Sequence, residues 1–281
     1  METKILGLLA ETFIHPGGEF GASAVDLPVA REAGTNYPYI AGSGLKGALK
    51  DKAREPLKGE LTDDQKKGLD ERVKRLLGET DNAGSVLVSD ARLLLLPIRS
   101  LSGAYKWVTC PLILERLYRD LTRACGKREW SIPAVAPKKA LGQGTGPFML
   151  EERRFEFADV VADSLRTALK TFFAHQSAAG RVDDQLVVLN DADFNWFALY
   201  GLSVQARNVL DEKKMSGNLW YEEALPPDTV MYALIGERET GAAAKVANMF
   251  MPDPARPASN PYLHAGGNET VGQGWFAVKM L

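Results

Sequence analysis

The chain has 281 residues, 45% of them apolar, with a formal net charge of −2 and a pI of about 6.0. This balance excludes a free-standing, strongly basic nucleic-acid binder but leaves room for a local basic track. Two cysteines, Cys110 and Cys125, exclude a disulfide framework. The scattered His15, His175 and His264 show no zinc spacing, so the expectation is a cytoplasmic protein.

No apolar run is long enough to cross a bilayer, the densest being Leu93 to Ile98. No signal peptide is expected, because Glu11 interrupts the brief apolar segment after Lys4. Lys4 to Ile14 is apolar and β-branched and reads as a first strand. His15-Pro16-Gly17-Gly18 ends it, and a long loop carrying Asp26 runs on to about Ser43. Then comes Ala41-Gly42-Ser43-Gly44-Leu45-Lys46-Gly47-Ala48-Leu49-Lys50, a glycine-broken entry into an apolar, basic helix spanning Leu45 to about Glu55. Glycines there let backbone amides approach a ligand, and a helix N-terminus carries unsatisfied N–H groups. With Lys46 this is a phosphate cradle. A capped turn, with Ser43 near the N-cap, is the alternative. The stretch is no Walker A loop. It fits G-x-G-x-x-G, but no strongly apolar strand precedes it.

Residues 56–82 read as an outer insertion with a helix from Asp63 to Leu77, started at Thr62 and stopped at Gly78. Its Lys66–Arg75 run is balanced by neighbouring acids, whereas the other basic clusters are Lys46–Arg54, Arg116–Arg128 and Lys138-Lys139. Ser85 to Pro97 reads as one buried strand and Leu112 to Cys125 as a helix with Leu112, Leu117 and Leu121 inward. Pro133 to Gly146 reads as loop, Phe148 to Phe157 as a strand and Ala158 to His175 as a helix. Leu186 to Leu189 is a short strand, followed by a helix from Asp191 with Phe194, Trp196, Phe197 and Tyr200. That aromatic set suits a core, or alternatively a base-stacking platform. Residues 204–228 read as a projecting hairpin around Met215-Ser216-Gly217-Asn218. Val230 to Ile235 is a strand, Ala242 to Phe250 a helix and Met251 to Pro261 a proline-rich loop. A glycine-rich loop, 266–274, enters the last strand, Trp275 to Met280.

The loop 266–274 with its following strand resembles the C-terminal glycine-rich motif of the RAMP superfamily of CRISPR RNA-binding proteins. Within it, four stretches resemble the backbone subunits of type III-B (Cmr) effector complexes. These are Val25-Asp26-Leu27-Pro28 with Arg31-Glu32, Pro38 to Lys50, Ser89-Asp90-Ala91-Arg92 through Pro111, and Asn218 to Pro227. The resemblance spans nearly the whole chain and implies an α+β fold. Its core would be ferredoxin-like (RRM-like), βαββαβ, with large insertions forming palm, fingers and thumb in one elaborated domain over 1–281. It implies head-to-tail copies along a guide CRISPR RNA, with target RNA and other Cmr subunits as partners and no membrane. Gly42, Ser43, Gly44, Lys46, Gly47, Lys50 and Arg54, with Gly266, Gly267, Gly272 and Gly274, would bind RNA. The hairpin 204–228 would be the thumb. The resemblance also implies cleavage of target RNA at regular intervals, with Asp26 as catalytic acid and ligand of a divalent ion (Mg²⁺ or Mn²⁺). His15, Glu222 and Glu223 are further candidates for acid–base work. An inert RNA-binding scaffold and an enzyme using 42–50 as a nucleotide phosphate loop are the competing readings.

Overall fold

A computed structural model of the chain describes residues 2–18, 25–58, 61–126, 129–251 and 261–281. The first half holds β1 (Thr3–Ala10), β2 (Tyr39–Ile40), α1 (Gly42–Arg54), α2 (Asp63–Leu77), β3 (Val86–Val88), β4 (Ala91–Ser100), β5 (Gly103–Thr109) and α3 (Pro111–Cys125). Next come β6 (Lys139–Gly142), β7 (Pro147–Leu150), β8 (Arg153–Asp159), α4 (Asp163–Lys170), α5 (Gln176–Gln185), β9 (Leu186–Leu189) and α6 (Asp191–Tyr200). The last are β10 (Ser203–Leu210), β11 (Ser216–Ala224), β12 (Val230–Glu237), α7 (Ala242–Ala247), β13 (Tyr262–His264) and β14 (Trp275–Met280). The fold is mixed α+β. Parts of four expected segments lie outside the described residues: 19–24 of the first loop, 59–60 of the insertion, 127–128 of a basic cluster and 252–260 of the proline-rich loop.

β1 is central, with β14 antiparallel on one side and β12 antiparallel on the other. β4 joins two systems. Leu93 and Leu95 face β12, while Leu96 to Ser100 pair with β5. From β5 the pairing runs through β9, β6, β8 and β7 and returns to β4 at Ser100 and Leu150, closing a six-stranded ring. That barrel was not anticipated from the sequence. Its short strands meet partners far along the chain, and local patterning does not carry such pairings.

Gly7 shows how tightly β1 is enclosed. A Cβ there would lie 2.6 Å from the carbonyl oxygen of Phe172. Gly7→Ala is expected to destabilise the fold by about 1–3 kcal/mol, read as a lower urea midpoint with unchanged slope.

Several sequence expectations need correction. Ser85–Pro97 is two strands, not one. The ladder breaks at Ser89-Asp90, where the Ser89 hydroxyl accepts the Leu234 N–H at 2.8 Å and Asp90 turns away to α1. Phe148–Phe157 is the β7–β8 hairpin, turning at Glu151 in a left-handed conformation (φ 48°) with no glycine to signal it. The helix expected over Ala158–His175 is confined to α4, and α5 follows unannounced; Pro133–Gly146 contains β6. α2 agrees residue for residue. Thr62 and Gln65 make a reciprocal capping box, and the chain leaves the helix at Gly78 with φ 75°.

Candidate active site

The hairpin of β10 and β11 forms its own two-stranded sheet. It projects from the body with Val209, Leu210, Met215 and Leu219 exposed. Its root is where the candidate catalytic residues meet. After β1 the chain folds back so that Ile14 exchanges two backbone hydrogen bonds with Leu225, at 3.0 and 2.8 Å. A strap of residues 25–31 runs beside β11. Leu27 N–H donates to the Tyr221 carbonyl at 3.1 Å, and Glu223 N–H donates to the Leu27 carbonyl at 2.9 Å.

Asp26 is exposed on this strap. One of its oxygens accepts the Tyr221 N–H at 2.8 Å. The other oxygen has no hydrogen bond among the described residues. His15 is buried, with Nδ1 2.7 Å from the Glu223 carbonyl. A carbonyl only accepts, so Nδ1 carries a proton and donates it, which fixes the orientation of the ring. Asp26 and His15 are therefore fixed to one strand at positions two residues apart, about 6–7 Å along β11.

Glu222 and Glu223 are both buried, with their oxygens already engaged. Glu223 accepts Arg31 Nη2 at 2.6 Å and the Val29 N–H at 3.1 Å. Arg31 in turn donates to the carbonyls of Ala198 and Asn36, at 2.6 and 2.9 Å. Glu222 accepts Trp220 Nε1 at 2.7 Å, Arg207 Nε at 3.1 Å and Asn268 Nδ2 at 2.8 Å. Burial pushes the Glu222 carboxyl up, but these donors outweigh it and hold it below the usual carboxylate range. In this geometry the glutamates hold the strap and the hairpin root. Sequence reasoning did not find Arg31, Arg207, Trp220 or Asn268 as parts of the site.

The glycine-rich loop lies against this root. Gly267 N–H donates to the His15 carbonyl at 2.9 Å, and Gly274 N–H to the Phe13 carbonyl at 2.9 Å. Gly266 and Gly274 have φ of 104° and 93°, and a Cβ at Gly274 would come within 2.7 Å of the Ala265 carbonyl oxygen. Gly272, with φ 82°, closes the turn over Glu269–Val271. These glycines meet the demands of the fold.

α1 begins at Gly42 with Ala41 as N-cap, so Ser43 lies inside the helix rather than capping it. The Gly42 N–H donates to Asp90 at 2.7 Å, which places a carboxylate at the helix start. The open surface is the side of the helix. Ser43 and Gly44 are exposed, and a Cβ on Gly44 or Gly47 would meet nothing within 4 Å. Lys46 and Lys50, one turn apart, make no ion pair among the described residues. Arg54 is turned away, its Nε and Nη2 3.0 and 2.8 Å from Asp70 of α2.

Among the described residues, no three His, Cys, Asp or Glu side chains converge to hold a metal ion. Asp26 offers one carboxylate with one free oxygen, so these residues do not by themselves seat the expected Mg²⁺ or Mn²⁺. No helix is long and apolar enough to cross a membrane, again among the described residues.

An α+β sheet thus carries a projecting hairpin, with a glycine-rich loop packed on its root. The chain belongs to the RAMP superfamily, whose family model matches residues 8–277. It is 30% identical over 300 residues to the CRISPR system Cmr endoribonuclease Cmr4 of Pyrococcus furiosus, covering all of this chain and 96% of that protein. It is also similar to the crystal structure of oligomeric Cmr4 from Pyrococcus furiosus. There the TM-score is 0.75 at 27% identity, covering 100% of this chain and 98% of the other. The fold recurs in the cryo-EM structure of the type III-B Cmr-beta complex bound to cognate target RNA, with TM-score 0.74 at 20% identity, covering 100% and 97% of the two chains.

Proposed function

We propose that this chain is a guide-RNA-binding backbone subunit of a type III-B CRISPR effector complex and that it cleaves the complementary target RNA. The observation that carries this reading is the attachment of Asp26 and His15 to β11 at the root of the projecting hairpin. The strand order β14–β1–β12–β4, with α1 between β1 and β4 and α7 between β12 and β14, supports reading the core as ferredoxin-like βαββαβ. The barrel is then the body of a large insertion, and the β10–β11 hairpin the thumb. Copies stack head to tail along the guide, a heterologous contact that stays open-ended; that a similar protein is oligomeric is consistent with association between copies. The other Cmr subunits complete the complex in the cytoplasm.

The thumb interrupts the guide–target duplex and leaves target backbone over the strap. The target's own 2′-hydroxyl then attacks the adjacent phosphorus, and the 5′-oxygen leaves. The Asp26 carboxylate takes the proton from the 2′-hydroxyl, and the leaving 5′-oxygen takes one from water or from His15 in its imidazolium form. Glu222 and Glu223 serve this by position, since donors already occupy them. A divalent cation, Mg²⁺ or Mn²⁺, would be held by Asp26 as its one protein ligand here and would supply charge stabilisation at the scissile phosphate.

Guide phosphates lie along the Ser43–Gly47–Lys50 side of α1, where the surface is open and the lysines are free. The chain is therefore expected to purify with RNA, seen as excess absorbance at 260 nm. Exchange of Lys46 and Lys50 for Glu is expected to strip that RNA and to lower the salt slope of guide binding by about one per lysine. RNA-free protein that binds ATP would instead favour a nucleotide-binding loop.

A further inference from the structure

α6 divides its aromatic residues between two faces. Phe194 and Phe197 are fully buried in the core. Trp196 is half-buried and packs against the core, and the exposed Tyr200 one turn later has its ring centre 5.5 Å from that of Trp196. Tyr200 is 69% exposed. A lone exposed tyrosine is ordinary, but this one has company. The Arg153 guanidinium stands 4.9 Å from the Trp196 ring centre. Its Nη2 donates to Asp193 at 3.2 Å, which fixes the cation over the indole. The other Asp193 oxygen accepts the Lys138 N–H at 2.8 Å and so holds the exposed Lys138 at the start of the same helix. Lys138 makes no ion pair among the described residues.

We propose that Trp196 and Tyr200, with Arg153 and Lys138, form a stacking platform for an unpaired RNA base, with Lys138 meeting a phosphate beside it. The inference rests on the RNA-guided reading above and assigns that reading a second contact surface. Rings interleaved with cations suit a single strand, because every base has a π-face and its backbone is anionic. The location supports it. Tyr200 stands three residues before Ser203, which opens β10 and pairs with Ala224 at the hairpin root. Arg31, which clamps the Asp26 strap, also donates to the Ala198 carbonyl of α6 at 2.6 Å. Immediately after Tyr200, Gly201 to Ser203 form a wall of a cleft of about 360 Å³ with Tyr105, Pro226 and Pro227.

The test uses the assembled complex with guide RNA. A 4-thiouridine is placed at successive positions of the target in one arm and of the guide in the other, and crosslinks are mapped after irradiation. A crosslink to Trp196 or Tyr200 supports the platform, and the arm that gives it identifies the strand. Tyr200→Ala is expected to weaken RNA binding about tenfold, with Tyr200→Phe within about twofold of wild type because the ring is kept. Unchanged affinity in Tyr200→Ala with no crosslink to α6 overturns the proposal. So does loss of copy-to-copy association in sedimentation at unchanged RNA affinity, which would assign the surface to a protein contact. A wild-type complex that fails to bind target sinks the wider reading as well; a wild-type complex that binds, matched by Tyr200→Ala, sinks only the platform.

Discussion

Asp26→Ala in the assembled complex is expected to lower target cleavage by a hundredfold or more, about the loss seen when a positioned acid–base group is removed. Guide and target binding are expected to stay near wild type. The side chain is exposed and makes one hydrogen bond, to the Tyr221 N–H. Water can replace that bond at an exposed position, so the strap should keep its path. Asp26→Asn sharpens the test. It can still accept from the Tyr221 N–H but carries no charge, so it separates anchoring from chemistry. If Asn behaves like Ala in cleavage and like wild type in melting, the carboxylate acts on the reaction. Wild-type cleavage in either variant would move the chemistry to another group.

The second large effect is at Glu223. Its carboxylate and Arg31 form a largely buried ion pair at 2.6 Å, with side chains 10% and 18% exposed. Glu223→Ala leaves the guanidinium without its counter-charge and the Val29 N–H without an acceptor. Breaking one side of such a pair costs roughly 3–5 kcal/mol. The strap that carries Asp26 then loses its clamp, so cleavage should fall along with stability. Glu223→Gln keeps an acceptor for Val29 and should cost less. Adding Arg31→Ala to Glu223→Ala should cost less than the sum of the two single changes, because the second change removes the stranded charge. Urea denaturation of the four chains measures this. Strict additivity would show that the pair does not act as a unit.

The parts of this molecule that were legible in the sequence are those set by neighbouring residues. The capping box at Thr62 and Gln65 and the stop at Gly78 mark α2 because each signal lies within a few positions of its effect. β9 and β14 announce themselves as apolar runs between turn residues. The barrel was not legible, because β6 pairs in parallel with β8 and antiparallel with β9, and nothing in Lys139–Gly142 states either partner. The site follows the same rule. His15 is reached through its place at the end of the first strand, and Asp26 through a resemblance spread along the chain. Arg31 was quoted there, but its partner lies 192 positions away, and no spacing rule links them. Asn268 lay unnoticed between glycines. In the structure it has φ 62° and joins the loop to the buried Glu222. By composition, the glycine-rich loop fits either a ligand contact or a tight turn alone. Its geometry shows tight turns packed on His15, a demand equally consistent with that composition.

The most direct measurement is the fragment pattern from a complex reconstituted with wild-type chain, guide RNA and Mg²⁺, acting on an end-labelled complementary target. A ladder of cuts at a constant interval, absent with a non-complementary target, is the expected result, since each copy would present one Asp26 strap per thumb along the guide. An intact target, or cuts with no fixed spacing, would contradict the assignment of this chain as the cutting subunit and leave an RNA-organising scaffold in its place.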